Sequence, residues 1–282
     1  MTSTSGANSA YTSAQEAHSR PLQGRWALIL GASSGFGAAT ARALAAAGMN
    51  IAGVHLDLRA TLPAARAVIA DIEATGARAL FFNTNAADPD KRTAVLDELA
   101  KALEPGQYIH VFMHSLAFGT LLPYIADEPE KAVSQAQMEM TLNVMAHSLV
   151  YWTQDLVRRG LLGRGSRIFS MTSEGSRRAV PNYGAVSAAK AALEAHTRQL
   201  ALELGPRGIL VNCIEAGVTD TPALRKIPGH EMMIEVALRR NPSGRLTTPE
   251  DVAATIVALS HPDIQFINGS TIFVDGGEAM VG

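Results

Sequence analysis

A tyrosine and a lysine seven residues apart, Tyr183 and Lys190, share an Ala-rich run, and Ser173 stands seventeen residues before the lysine. Ala-rich sequence favours helix, and Pro181 suits a first helical turn, where its missing N–H leaves no bond unmade. At about 100° per residue, a separation of seven returns to nearly the same face, so a helix starting near Tyr183 aims phenol and ammonium into one cleft. An acid beside a cation that lowers its pKa is equipment for proton donation. Singly these residues say less: a lone Tyr at a helix start packs, and a lone Ser caps or turns. The combination of the three points to chemistry.

The elements that must position them alternate along the chain. Apolar runs at 26–30, 50–54, 77–82, 108–113, 167–171, 209–214 and 271–274 read as strands. Helical patterns fill the intervals at 38–47, 64–74, 91–103, 132–158, the run after Pro181, and 249–259. Strands separated by helices call for parallel pairing through right-handed crossovers, which gives an α/β doubly wound parallel sheet of Rossmann type in a single domain over 24–282. The first turn, Gly31-Ala-Ser-Ser-Gly35-Phe-Gly37, joins the first strand to the first helix. Glycines let backbone approach a pyrophosphate, and the free N–H groups and dipole of a helix start stabilise its charge, so Gly31, Ser33, Ser34, Gly35, Phe36 and Gly37 form a candidate dinucleotide cradle. At the end of the second strand, His55 is followed two residues later by Asp57, an acid for ribose hydroxyls, and then by Arg59, a base that could curl back to a 2′-phosphate.

Composition narrows the class. Net charge is 24 minus 26, or −2, with 47% hydrophobic and 18% charged residues, so neither nucleic acid nor an anionic membrane is implied. The single cysteine, Cys213, lies in an apolar run and suits a reducing, cytoplasmic compartment. No apolar run reaches the length of a membrane span. Residues 1–23 are rich in Ser, Thr, Ala and Gly and read as a flexible tail. No Cys/His/carboxylate cluster has metal-ligand spacing, and no G-x-S-x-G elbow supports a hydrolase. His114, at a strand end, reads as structural, and Met138, Met140 and Met145 as packing.

From residue 25 to 277 the chain resembles the short-chain dehydrogenase/reductase family. The resemblance rests on the glycine turn, Asn143, Asn212, Ala216-Gly217 before Thr219-Asp220-Thr221, and the closing Val274-Asp275-Gly276-Gly277. In most of that family the active Tyr precedes the Lys by four residues, where this chain has Val186. The wider Tyr183–Lys190 spacing, Pro181-Asn182-Tyr183, and His114-Ser115-Leu116-Ala117 in place of an Asn-Asn-Ala-Gly type motif resemble the enoyl-acyl-carrier-protein reductase branch with the ordinary glycine turn, as does the stretch 223–252. The shift makes chemical sense. Hydride reaches a ketone at the carbon bearing the oxygen, but reaches an enoyl thioester at the β-carbon, three bonds from the oxygen that becomes an enolate. Moving the Tyr back three residues shifts it about 4.5 Å along a helix and rotates it about 60°.

This resemblance implies that Tyr183 donates to the enolate oxygen, Lys190 holds the nicotinamide ribose, and Asn143 bends its helix and holds water for a proton relay through Lys190. Ser173 falls at the family's serine offset, although better-known enoyl reductases carry a second Tyr there. Asn85 and Ala86 would flank the adenine, and Ser115, Leu116 and Ala117 would offer backbone beside the cofactor. Gly217, Val218 and Thr219 would face the carboxamide, and Thr221 the carboxamide or phosphates. The implied cofactor is NADPH or NADH, with a lean to NADPH. The implied substrate is an enoyl thioester of acyl carrier protein or coenzyme A in fatty-acid synthesis, held near segment 220–245 with Met232 and Met233, in a homotetramer built through the long helix and the Lys190 helix. A carbonyl reductase acting on 3-oxoacyl or other ketones is the alternative, and a non-catalytic nucleotide-binding regulator a third.

Overall fold

The computed structural model describes residues 21–281. Most of the expected tail, residues 1–20, therefore lies outside the described residues. Leu22 is only 3% exposed and packs with the core, so the domain is already underway before residue 24.

Seven strands, β1 (Trp26–Leu30), β2 (Asn50–His55), β3 (Ala79–Asn83), β4 (Ile109–His114), β5 (Arg167–Thr172), β6 (Leu210–Ala216) and β7 (Thr271–Val274), form one sheet in the order β3-β2-β1-β4-β5-β6-β7. Every pairing is parallel. All residues of β1, β4 and β5 are buried, as expected of a parallel sheet covered on both faces. Along β1 the side chains alternate between two cores. Trp26, Leu28 and Leu30 join Leu96, Leu149, Trp152 and Leu193 on one face, while Ala27 and Ile29 join Leu44, Ile72 and Ile256 on the other.

The covering helices are α1 (Gly35–Ala46), α2 (Leu62–Ala74), α3 (Pro89–Ala102), α4 (Gln135–Leu142), α5 (Ser148–Arg158), α6 (Gly184–Leu204), α7 (His230–Arg240) and α8 (Pro249–Leu259). Strand order reverses between β1 and β4, so the loops leaving their C-terminal ends diverge and open a crevice, the usual ligand position in such sheets. Among the described residues no helix is long and apolar enough to cross a membrane.

Three local features differ from the sequence expectations. The helix expected over 132–158 is interrupted. Ser134 and Gln137 form a capping box that starts α4 at Gln135, and residues Asn143–His147 form a π segment before α5 resumes. Pro181 lies outside α6, because Asn182 adopts a left-handed φ of 62° and helix begins only at Gly184. Tyr183 is the N-cap residue, with its carbonyl accepting from Ser187 N–H at 2.8 Å, so it still occupies the first turn. Finally, α7 lies inside segment 220–245, for which the sequence analysis drew no helix.

Candidate active site

Most of the expected site residues come from loops or helix starts at the C-terminal edge of the sheet, while His55 ends β2, Asn143 opens the π segment and Lys190 lies in the second turn of α6. Ser173 follows β5, and its Oγ lies 3.4 Å from the Tyr183 phenol oxygen. One glycine makes room for that pair and a second for a neighbouring ring. A Cβ on Gly175 would meet the Tyr183 ring at 2.5 Å, and one on Gly184 would meet the Tyr124 ring at 2.6 Å. Tyr124 thus supplies a second ring beside the site, from the loop after β4, where the sequence analysis found only Ser173 in the expected place of one.

Lys190, 6% exposed, donates from Nζ to the Met171 carbonyl at 2.6 Å. Burial pulls its pKa from the ordinary 10.5 down to about 8, partly offset by Cys213 and Glu194. The Tyr183 phenol moves the other way from the sequence expectation. Burial pushes its pKa up, with the Ser173 hydrogen bond opposing in part, so Tyr183 stays a neutral O–H donor across the working range. Asn143 opens the π segment that interrupts the helix facing α6. His114 is buried and bonded through Nε2 to Ser148 Oγ at 2.7 Å. Burial, and then the Lys190 charge, lower its pKa to about 3, which makes it a neutral structural residue.

The cofactor cradle fits a dinucleotide. Gly31 has a φ of 87°, and a Cβ there would strike the Ser115 carbonyl oxygen at 2.4 Å; one on Gly37 would strike the Gly31 carbonyl oxygen at 2.1 Å. Only glycine permits this approach of turn, helix start and β4 loop. Ser34 makes no side-chain cap bond, so the first N–H groups of α1 keep no capping partner and are available to phosphate oxygens. Thr221 lies across the turn, its Cγ2 within 3.8 Å of a Cβ position on Gly35. At the tip of β2, His55 Nδ1 pairs with Asp57 Oδ2 at 2.7 Å. Although burial alone pushes the Asp57 pKa up, hydrogen bonds from Thr61, Ser33 and His55 hold it below the usual carboxylate value. Arg59 is exposed beyond it. Asn85 is exposed after β3, and Ala86 is buried with its carbonyl bonded by Trp152 Nε1 at 2.8 Å. Ser115, Leu116 and Ala117 follow β4, and Gly217, Val218 and Thr219 follow β6. The Val218 N–H is engaged by Glu278 Oε2 at 3.1 Å, which leaves its carbonyl for a carboxamide. Glu278, from the C-terminal segment, was not singled out from sequence.

A family model described as enoyl-(acyl carrier protein) reductase matches residues 31–278. A 3-oxoacyl-[acyl-carrier-protein] reductase from Synechocystis sp. is 33% identical over 263 residues, covering 92% of this chain and 98% of that protein. A 1-cyclohexenylcarbonyl-CoA reductase from Streptomyces collinus is 30% identical over 256 residues, 90% of this chain and 86% of the relative. Among solved structures, a short-chain dehydrogenase from Burkholderia cenocepacia in complex with NADP superposes with a TM-score of 0.77 at 31% identity, covering 92% of this chain and 99% of that one.

Proposed function

We propose, on the premise that this chain belongs to the short-chain dehydrogenase/reductase family, that it reduces the carbon–carbon double bond of an enoyl thioester with NAD(P)H. The position of the phenol carries this reading. Val186, four residues before Lys190, is buried core whose Cγ2 packs at Gly119, so no hydroxyl stands there. The available donor is Tyr183, farther out at the entrance of α6. A donor displaced outward suits an oxygen three bonds from the carbon that takes hydride.

When bound, a reduced nicotinamide supplies that hydride. Tyr183 donates a hydrogen bond to the thioester oxygen as enolate charge develops, and its raised pKa keeps the proton in place for donation. Lys190 uses one N–H on Met171 and keeps two for ribose hydroxyls. Asn143 is assigned the water that would return a proton from solvent through Lys190. The carboxylate at the β2 tip supports NADH over the NADPH toward which the resemblance leans. Among relatives, the Streptomyces enzyme is named for an α,β-unsaturated thioester, which supports the same chemistry. Exposed Leu202 on α6 and Tyr151 on α5 support self-association through those helices, and the proposed assembly is a tetramer placed in the cytoplasm.

The 3-oxoacyl reductase reading is favoured by one observation, the 3.4 Å approach of Ser173 to Tyr183, which would let both hydroxyls bond a single ketone oxygen. The residue that carries the enoyl reading is tested directly. Tyr183→Phe should lower crotonyl-thioester turnover at saturating cofactor by about 10²-fold, the scale of one lost oxyanion donor. Unchanged turnover would remove Tyr183 from the mechanism.

A further inference from the structure

Arg240, the last residue of α7, joins the expected acyl-binding segment to both walls of the cleft. Its side chain is only 16% exposed. Nη2 donates to Glu174 Oε1 at 3.2 Å, in the turn immediately after Ser173. Nη2 and Nε donate to the Val281 carbonyl at 3.0 and 3.1 Å, and Nη2 also reaches the Glu278 carbonyl at 3.2 Å. Glu278 is 3% exposed and turns its carboxylate inward to accept the Val218 N–H at 3.1 Å. Its Oε2 lies so near Gly217 that a Cβ there would come within 2.7 Å. The next residue, Asn241, adds a bond from Nδ2 to the Asp275 carbonyl at 2.8 Å.

A half-buried guanidinium loses hydration, and its fork recovers that loss only while its acceptors stay in register. Here the acceptors come from two separate segments, one leading to Ser173 and the other to the loop after β6. Burial raises the Glu278 pKa, and Glu174 raises it further while Arg240 opposes, so the cation also keeps two neighbouring carboxylates compatible.

We propose that Arg240 is a positioning residue that locks α7 to the Ser173 turn and to the 217–221 loop, so that the substrate segment and the nicotinamide-side loop reach their working positions together. The proposal rests on the family's reductase chemistry and is independent of whether the substrate is an enoyl or a ketone.

The test uses the full chain. Dissociation constants for NADH and for NADPH are measured by nicotinamide fluorescence, and KM and kcat with whichever of crotonyl or acetoacetyl thioester the wild type reduces. Arg240→Gln should weaken binding of the preferred cofactor and raise thioester KM, each by about tenfold, the scale of a lost charge-assisted hydrogen bond. Arg240→Lys, which keeps charge but loses the fork, should recover part of both. The double variant with Glu174→Gln should lose no more than Arg240→Gln alone, as expected for groups in one network. Unchanged binding and KM in Arg240→Gln overturn the proposal whatever its melting temperature. A change in only one of the two readouts, or multiplicative losses in the double variant, overturns it as well. Should Arg240→Gln not fold, Arg240→Lys and its double with Glu174→Gln carry the same cycle. Reduction of acetoacetyl thioester alone would sink the enoyl reading and leave this test intact.

Discussion

A lysine with a pKa near 8 limits the pH range in which this site works. Protonated, Lys190 can hold ribose hydroxyls and support charge on the substrate oxygen; neutral, it loses the second role. Activity should therefore fall as pH rises through about 8 in kcat/KM, which reports the free enzyme. Tyr183 titrates above its ordinary 10.0, so the residual activity of Tyr183→Phe should keep the same limb. A limb absent below pH 10, or lost in Tyr183→Phe, would contradict the assignment to Lys190. The same shift affects stability. The folded pKa is below the unfolded 10.5, so the unfolded chain binds more protons between about 8 and 10.5, and this residue's contribution to stability rises with pH across that window. At this scale the nearness of Ser173 to Tyr183 was legible, their hydroxyls lying 3.4 Å apart, while a shared face for Tyr183 and Lys190 belongs to the proposal. The direction of the Tyr183 shift was not, since burial is a tertiary property. Arg240 and Glu278 were invisible for a similar reason: their partners lie tens of residues away.

Among the elements, the tip of β2 is where the proposed reading puts cofactor choice. Against the pull of burial, Asp57 is held below the usual carboxylate value by hydrogen bonds from Thr61, Ser33 and His55, and on that reading it would take ribose hydroxyls and repel a 2′-phosphate. Initial rates should favour NADH over NADPH, and Asp57→Ala should shrink that ratio by about tenfold or more. Like charges about 4 Å apart repel by roughly 1 kcal/mol in watery surroundings and roughly 4 kcal/mol in partly shielded ones. Preference for NADPH, or a ratio indifferent to Asp57→Ala, would contradict it. Most strands fell within a residue or two of their sequence limits, because a sheet covered on both faces demands unbroken apolar runs. Helix interruptions were less readable. A π segment needs no distinctive composition, so only the resemblance, through Asn143 as a helix-bending residue, pointed to it, although Ser134 and Gln137 did carry a capping-box signal for the start of α4. The helix formers of HEMMIEVALRR did carry a signal for α7 that went unused, and Met232 is largely exposed.

For the whole molecule, the wound sheet brings six loop ends to one edge and divides the apolar residues of β1 to β6 between two cores, with β7 packing against one of them. Alternating strand and helix patterns were enough to forecast that architecture. The loops' mutual contacts were not forecast, because closure of the C-terminal segment over the β6 loop through Glu278 depends on packing between ends of the chain. The architecture serves ketone and enoyl reduction equally well, so the outward position of Tyr183 is the feature that separates them. Parallel initial-rate assays of crotonyl and acetoacetyl thioesters, at saturating NADH and again at saturating NADPH, test that separation most directly. Reduction of the crotonyl thioester at a clearly higher kcat/KM is the predicted result; reduction of the acetoacetyl thioester alone would contradict it.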